Sequence, residues 1–386
     1  MRIALVHDYL SQDGGAERVL KALQELFPAA PTFVLFYDKN KIPAHFFKGE
    51  VRPTFLHFLP GIRSHYRWYL PLMPFATEHH DLSEFDLVLS STSAFAKGVL
   101  TPPTALHLSY CHTPTRYLWT DTYSYLEELN TNRLIKSILP TIISRLRMWD
   151  KMSADRVDYF MANSENVRSR IQKFYRRDSE VIPPPVDTHL FKVADQISDY
   201  YLTGGRLVPY KRFDLTIKVF NRLGYPLKIF GTGPDEGRLR SLAKSNIEFV
   251  GPVTDEAKAD LYSQAKAFIH PQFEDFGITA VESMAAGRPV IAYAAGGALE
   301  TVVEDVTGKF FTEQTWESLL DTVLNFESQQ FDPYKISEYA QQFSVDNFKK
   351  RITEYVAGRY EDFKKGWRQP TLTPHMETLR HSSSKF

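Results

Sequence analysis

Along the chain, short runs of apolar residues alternate with longer stretches in which apolar positions recur every three to four residues. In the first half the short runs fall at residues 3–6, 32–36, 85–89, 105–109 and 159–162, each bounded by turn-forming residues. Helical periodicity lies between several of them, as at 16–27 and 167–175. The second half repeats the pattern more regularly. Strands are expected at 200–203, 227–230, 247–250, 267–270, 289–293 and 309–311. Helices are expected at 214–223, 236–243, 255–264, 278–286 and 316–326. Continuous apolar strands separated by helices build parallel sheets covered on both faces.

Between the halves lies Val181-Ile182-Pro183-Pro184-Pro185-Val186-Asp187. Three consecutive prolines make a stiff, extended connector without amide donors, suited to a hinge. A chain of 386 residues is also too long for one ordinary core. The expected division is therefore an α/β domain at 1–187, a second at 188–345, and a terminal segment at 346–386. Within that segment, 347–360 reads as a basic amphipathic helix with Phe348, Ile352, Tyr355 and Val356 on one side. Residues 370–386 are polar and read as a tail. Two parallel sheets facing each other place their carboxyl ends along one cleft, where ligands of open α/β sheets bind.

Composition narrows the picture mainly by exclusion. Hydrophobic residues make up 43% and charged residues 24%, as in soluble globular proteins. Lys+Arg and Asp+Glu both total 46, so no overall field recruits nucleic acid. The single cysteine, Cys111, excludes an intramolecular disulfide. The opening apolar run is too short for a secretory signal, and no apolar stretch reaches the ~18–20 residues of a spanning helix. The expected location is the cytoplasm, at most on the inner face of the cell membrane. Two basic and apolar segments, 52–76 and 133–151, suit contact with an anionic leaflet or a lipid-linked substrate. Ordinary core helices with snorkelling cations explain them equally well.

The most informative run is His270-Pro271-Gln272-Phe273-Glu274-Asp275-Phe276-Gly277-Ile278-Thr279-Ala280-Val281-Glu282. It reads strand, turn, helix, and the amides of Phe276, Gly277 and Ile278 at the helix start suit an anion. Glu274 and Glu282 could be a hydrolase acid and base, two solvated glutamates, or ligand contacts. On a continuous helix, eight residues span ~12 Å, which weakens the hydrolase reading.

A second run, Gly204-Gly205-Arg206-Leu207-Val208-Pro209-Tyr210-Lys211-Arg212, follows a strand and precedes a helix. Arg206 can fork onto two phosphate oxygens and Lys211 supplies a compact charge, while Arg212 reads as solvated. A plain basic surface loop is the alternative. Asp13-Gly14-Gly15-Ala16-Glu17 joins the first strand to the first helix without the spaced-glycine dinucleotide fingerprint, and Gly231-Thr232-Gly233-Pro234 reads as a turn. His112, in Tyr110-Cys111-His112-Thr113-Pro114-Thr115-Arg116-Tyr117, is either a ligand contact or a structural histidine. Neither an Asp-x-Asp tripeptide nor a Cys/His cluster of metal-ligand spacing occurs, so no metal is expected.

In their order, these runs resemble the retaining glycosyltransferase family 4 with the GT-B fold of two Rossmann-like parallel-sheet domains. Glu274…Glu282 looks like that family's paired-glutamate signature, and Gly205-Arg206…Lys211 its basic motif. The connector carries Pro185 where many relatives have glycine. The Tyr110–Tyr117 run is similar to bacterial envelope-polysaccharide transferases, including mannosyltransferase-like members.

The resemblance implies a metal-independent transfer from a nucleotide diphosphate sugar, with a UDP-hexose such as UDP-glucose first and GDP-mannose next. Arg206 and Lys211 would bind the diphosphate, helped by the amides at 276–278. Glu282 would take the ribose hydroxyls, Glu274 the sugar hydroxyls, and His112 the sugar near its anomeric carbon. Gly15 and Gly205 would permit close approach. The acceptor would be a glycan or lipid-linked glycan, and the terminal helix would cross back to the first domain. A GT-B nucleotide-sugar epimerase, a non-catalytic nucleotide-sugar-binding protein and a nicotinamide oxidoreductase are the rivals, the last disfavoured by the missing fingerprint.

Overall fold

The computed structural model describes residues 1–12, 14–122 and 133–366. Asp13, the tail at 370–386 and the side chains of Arg133, Ile135 and Lys136 lie outside the described residues. The first half forms a parallel seven-stranded sheet in the order β3-β2-β1-β4-β5-β6-β7. Its strands are β1 (Ile3–His7), β2 (Thr32–Val34), β3 (Val51–Pro53), β4 (Leu87–Thr92), β5 (Leu106–Cys111), β6 (Tyr159–Ala162) and β7 (Ser179–Val181). The second half forms a parallel six-stranded sheet, β10-β9-β8-β11-β12-β13. These are β8 (Tyr201–Gly204), β9 (Leu227–Phe230), β10 (Ile247–Gly251), β11 (Phe268–His270), β12 (Val290–Tyr293) and β13 (Gly308–Phe311).

Every strand expected from the apolar runs is present, and two edge strands, β3 and β7, were not anticipated. Each has three residues and none is buried, so neither shows the apolar run of a central strand. The 32–36 run also ends early, at Val34. Leu35 and Phe36 leave the sheet and enter a separate buried cluster with Leu56, Ile62 and Met73. That cluster lies beneath the 52–76 segment, which is a series of short turns, Phe55–Phe58, Ile62–His65, Tyr66–Leu72 with Pro71 inside it, and Met73–Glu78. It is therefore no continuous core helix. Leu56, Ile62 and Met73 face inward, while Phe58, Trp68 and Phe75 stand 78%, 71% and 60% exposed.

Helices flank both sheets, among them α1 (Gly15–Leu26), α2 (Arg133–Ala154), α3 (Glu165–Tyr175), α4 (Phe213–Leu223), α5 (Asp255–Gln264) and α6 (Ile278–Ala285). The chain crosses between domains twice, and the crossings pair. Val186, after the three prolines, donates its amide to Phe343 at 2.9 Å and bridges Ser344. After the second crossing, α7 (Val345–Gly366) returns to the first domain. Phe348, Ile352 and Val356 are buried there with Leu5, Leu108 and Tyr110.

Two buried carboxylates set the loops at the carboxyl end of the first sheet. Asp8 accepts from the amides of Ser93, Ala94, Phe95 and Ala96 at 2.6–2.9 Å, which fixes the turn after β4. Asp150 on α2 takes Lys97 at 2.5 Å, Thr115 at 2.8 Å, Trp119 at 2.7 Å and Tyr175 at 2.9 Å. A buried charge is tolerated only when its lone pairs are filled in this way. Asp150 thereby pins the segment that follows His112.

Candidate functional site

Between the carboxyl ends of the two sheets lies a cleft of about 870 Å³. From the first domain it is lined by Gly15, Arg18, Ser93, His112 and Arg116, among others. From the second it is lined by Gly205, Arg206, Tyr210, Lys211, Lys258 and Glu274, and by the run from Phe276 to Ile278 with Glu282. All ten residues singled out in the sequence as ligand contacts, spread from 15 to 282, thus border one cavity.

The paired-glutamate run takes the shape expected of it. β11 ends at His270, the loop carries Glu274, and α6 begins at Ile278. Gly277 caps α6 at φ +92°, a left-handed conformation that side chains rarely adopt, and no side chain caps the helix start. The first amides of α6 are therefore left for a ligand of the cleft. Phe276 anchors the turn by packing edge-on against Phe343 at 5.5 Å.

The two glutamates are held by different cations. Glu274 pairs with Lys211 at 3.1 Å. Burial alone would lower the Lys211 ammonium, but Glu274 reverses this and holds it above its ordinary value. Glu282 is 2% exposed and accepts Arg18 at 2.7 Å, Lys258 at 3.0 Å and Tyr262 at 3.3 Å. Burial alone would raise its carboxyl, yet Arg18 and Lys258 outweigh burial and hold it below the usual range. A hydrolytic acid needs the opposite shift, so Glu282 is not suited to be the acid of a hydrolytic pair.

Arg206 is exposed at the cleft and reaches Gln12 of the first domain at 3.3 Å. Arg212, read from the sequence as the solvated member, is instead half-buried, paired with Asp214 at 3.4 Å and bonded to Gln314 at 3.3 Å. The Gly204-Gly205 turn lies directly against the Gly231–Gly233 turn. A Cβ on Gly231 would sit 1.9 Å from the Gly205 carbonyl oxygen, and one on Gly233 2.1 Å from that of Leu207. Gly231 is thus required for close backbone approach, a role that its sequence setting as a simple turn did not disclose.

His112 lies where β5 opens to the cleft, 9% exposed, its Nε2 2.8 Å from Ser91 Oγ. Burial, with His7 nearby, lowers its pKa to about 3, so the ring is neutral near pH 7. Cys111, one residue earlier, points into a separate apolar cluster, and burial pushes its thiol up, away from thiolate chemistry. Among the described residues no group of three or more histidines, cysteines and acids is placed to hold a metal ion.

Sequence reasoning missed how the domains grip one another. Asp275, next to Glu274, points the other way and takes Arg116 at 2.5 Å, Arg170 at 2.6 Å and Asn166 at 3.1 Å from the first domain. Glu300 accepts the Glu165 and Asn166 amides at 2.7 and 2.9 Å, at the start of α3. With Arg18 on Glu282, three acids of the second domain are thus bound by the first. Nothing in the local pattern around these residues announces partners more than a hundred positions away.

Known proteins share this fold. The sequence model described as Glycosyltransferase Family 4 matches residues 13–190, and that described as Glycosyl transferases group 1 matches residues 192–343. A D-inositol 3-phosphate glycosyltransferase of Mycobacteroides abscessus is 26% identical over 200 residues, covering 45% of this chain and 45% of that one. A GDP-mannose-dependent phosphatidylinositol monomannoside mannosyltransferase of Mycobacterium tuberculosis is 31% identical over 220 residues, covering 48% and 56%. The chain thus spans about half the length of these curated relatives. An Anabaena protein, HepE, solved with UDP, superposes with a TM-score of 0.69 at 18% identity, covering 93% of this chain and 100% of that one. With one family model spanning each domain and the GT-B architecture reproduced along the chain, this protein belongs to the family 4, group 1 glycosyltransferases.

Proposed function

We propose that the protein is a retaining, metal-independent hexosyltransferase that moves a sugar from a nucleotide diphosphate donor to a glycan or lipid-linked glycan acceptor. The convergence of all ten candidate residues on one cleft carries this reading. Arg206, Lys211 and the amides at the start of α6 form the positive side of the cavity and would hold the diphosphate. They would also offset the charge that develops as the bond from the anomeric carbon to phosphate breaks. Glu282 would take the ribose hydroxyls, Glu274 the hydroxyls of the transferred sugar, and His112 the sugar near the anomeric carbon. The acceptor hydroxyl would attack from the face that the phosphate leaves and lose its proton to the departing phosphate oxygen. Retention then follows without an enzymatic nucleophile.

For the donor, UDP-glucose is the first choice and GDP-mannose the second. HepE with UDP and the GDP-mannose-dependent relative make both worth testing. The exposed Phe58, Trp68 and Phe75, in a stretch with Arg63 and Arg67 and no acid, support a peripheral contact with an anionic membrane. Among the described residues no helix is long and apolar enough to cross one. A thermal-shift screen of nucleotide sugars, followed by transfer assays with the best binder, tests the reading. Hydrolysis or epimerisation of the donor with no transfer to any glycan would overturn it.

A further inference from the structure

Four polar side chains run in line from the glycine turn of the first domain to the cleft. The register places them. β1 and β4 pair His7 with Ser91, and β4 and β5 pair Ser91 with Tyr110, so His7, Ser91 and a residue two beyond Tyr110 share one sheet face. That residue is His112. Its Nε2 is 2.8 Å from Ser91 Oγ, and Ser91 Oγ is 3.1 Å from His7 Nδ1. Beyond the ring, His7 Nε2 lies 3.9 Å from Glu17 Oε1. The other Glu17 oxygen accepts the Gly14 amide at 3.0 Å. His7, Ser91 and Glu17 are at most 3% exposed, so water does not compete for these contacts.

Such a chain has a direction. A carboxylate oxygen only accepts, so with one proton on the His7 ring the Glu17 carboxylate, 3.9 Å from Nε2, favours that nitrogen for it electrostatically. His7 Nδ1 then carries a lone pair and takes the Ser91 hydroxyl proton. The Ser91 oxygen, its proton spent, accepts from His112 Nε2. That leaves Nδ1 as the acceptor nitrogen of His112, on the residue that lines the cleft.

We propose that Glu17, His7 and Ser91 form a proton-ordering chain that holds His112 with its hydrogen on Nε2, so that Nδ1 accepts a hydroxyl of the bound sugar. The sugar-contacting role of His112 belongs to the function proposed above, and this inference rests on it. Glu17, His7 and Ser91 are positioning residues that touch no substrate. Because Glu17 also holds the Gly14 amide, the same carboxylate shapes the turn where Gly15 meets the second domain. A histidine left free to choose its tautomer would present a donor to the sugar part of the time.

The test is a long-range nitrogen–proton correlation spectrum of the full protein with nitrogen-15-labelled histidine, His112 being assigned by His112→Gln. The wild type should show His112 protonated on Nε2 with bare Nδ1. Ser91→Ala should mix the two tautomers, and Ser91→Thr, which keeps the hydroxyl, should restore the preference. With an accepted donor, Ser91→Ala and Glu17→Gln should lower kcat about tenfold, the worth of one hydrogen bond, at little changed donor KM. His112 protonated on Nδ1 in the wild type would overturn the proposal without any variant. So would an unchanged tautomer, or an unchanged kcat, in Ser91→Ala. Nε2 protonation in a protein that transfers no sugar would instead overturn the proposed function and leave the ordering chain standing.

Discussion

Arg18 of the first domain lies 2.7 Å from Glu282 of the second, and Lys258 reaches the same carboxylate oxygen at 3.0 Å. The contact bridges the two domains and holds the buried acid's carboxyl below the usual range. It also occupies the group that the proposed donor would use. A carboxylate has about four lone-pair sites, so three protein donors leave room for a ribose hydroxyl only at its edge. Donor binding and domain closure therefore act on one side chain.

Removing Arg18 should loosen closure without unfolding the protein, because Lys258 still neutralises Glu282. Arg18→Ala is expected to raise the radius of gyration of the free protein in small-angle scattering. An unchanged profile would show that this contact does not hold the domains together. Glu282→Ala should weaken binding of a free nucleoside diphosphate by roughly tenfold, the loss of one or two hydrogen bonds, as read by calorimetry.

The diphosphate assignment predicts large kinetic effects. Arg206→Ala or Lys211→Ala should lower turnover by roughly 10²–10³, the usual cost of deleting one preorganised charge at a developing anion. Lys211→Ala also strips Glu274 of its counter-ion, so donor KM should rise as well. Near wild-type transfer in both variants contradicts the assignment.

Gly15 meets the second domain closely enough for a geometric test. A Cβ on Gly15 would come 2.9 Å from Ile278 Cδ1. Because that atom ends a flexible side chain, Gly15→Ala should cost about tenfold in kcat/KM, equivalent to ~1.4 kcal/mol and within the range of a modest overpacking. Ile278→Val removes Cδ1, so the double variant should recover most of the loss. No recovery would place the effect of Gly15 in ligand contact instead.

Stability should fall as the solution is acidified below about pH 6.5. Burial holds His107 near 4 and His112 and His270 near 3 in the folded protein. The unfolded chain protonates these rings at about 6.5, so between that value and 3–4 it binds more protons. Their neutral burial thus costs nothing above pH 6.5 and up to ~1.4 kcal/mol per ring for each unit below it. The lowered Glu282 carboxyl adds a loss of the same sign below its unfolded value of about 4.5. Melting temperature measured from pH 7.5 to 5 should decline, and less steeply in His107→Gln. A flat profile would remove the premise.

The exposed aromatics predict vesicle binding. The protein should sediment with phosphatidylglycerol vesicles more than with phosphatidylcholine. Trp68→Ser and Phe58→Ser should each cut the bound fraction about tenfold, given ~1.5–3 kcal/mol per buried aromatic side chain. Equal binding to both lipids, or none, argues against the membrane contact.

The order of strands and helices was legible in the sequence because a strand buried on both faces needs a continuous apolar run. The central strands β1, β4, β8 and β11 announce themselves in this way, and the edge strands β3 and β7 do not. Cleft-lining residues were legible where the local pattern is unusual, as in Gly277 before α6 or the glycines ahead of Arg206. Which carboxylate meets which cation was not. Glu274 and Asp275 are neighbours in the chain, yet one pairs with Lys211 in its own domain and the other with Arg116 and Arg170 of the opposite domain. Likewise, His7, Ser91 and His112 are separated by dozens of residues and become a chain only through the register of three parallel strands. Local chemistry is written in local sequence because backbone conformation answers to near neighbours. The pairing of charges across a cleft answers to the packing of whole domains, and only the tertiary structure decides it.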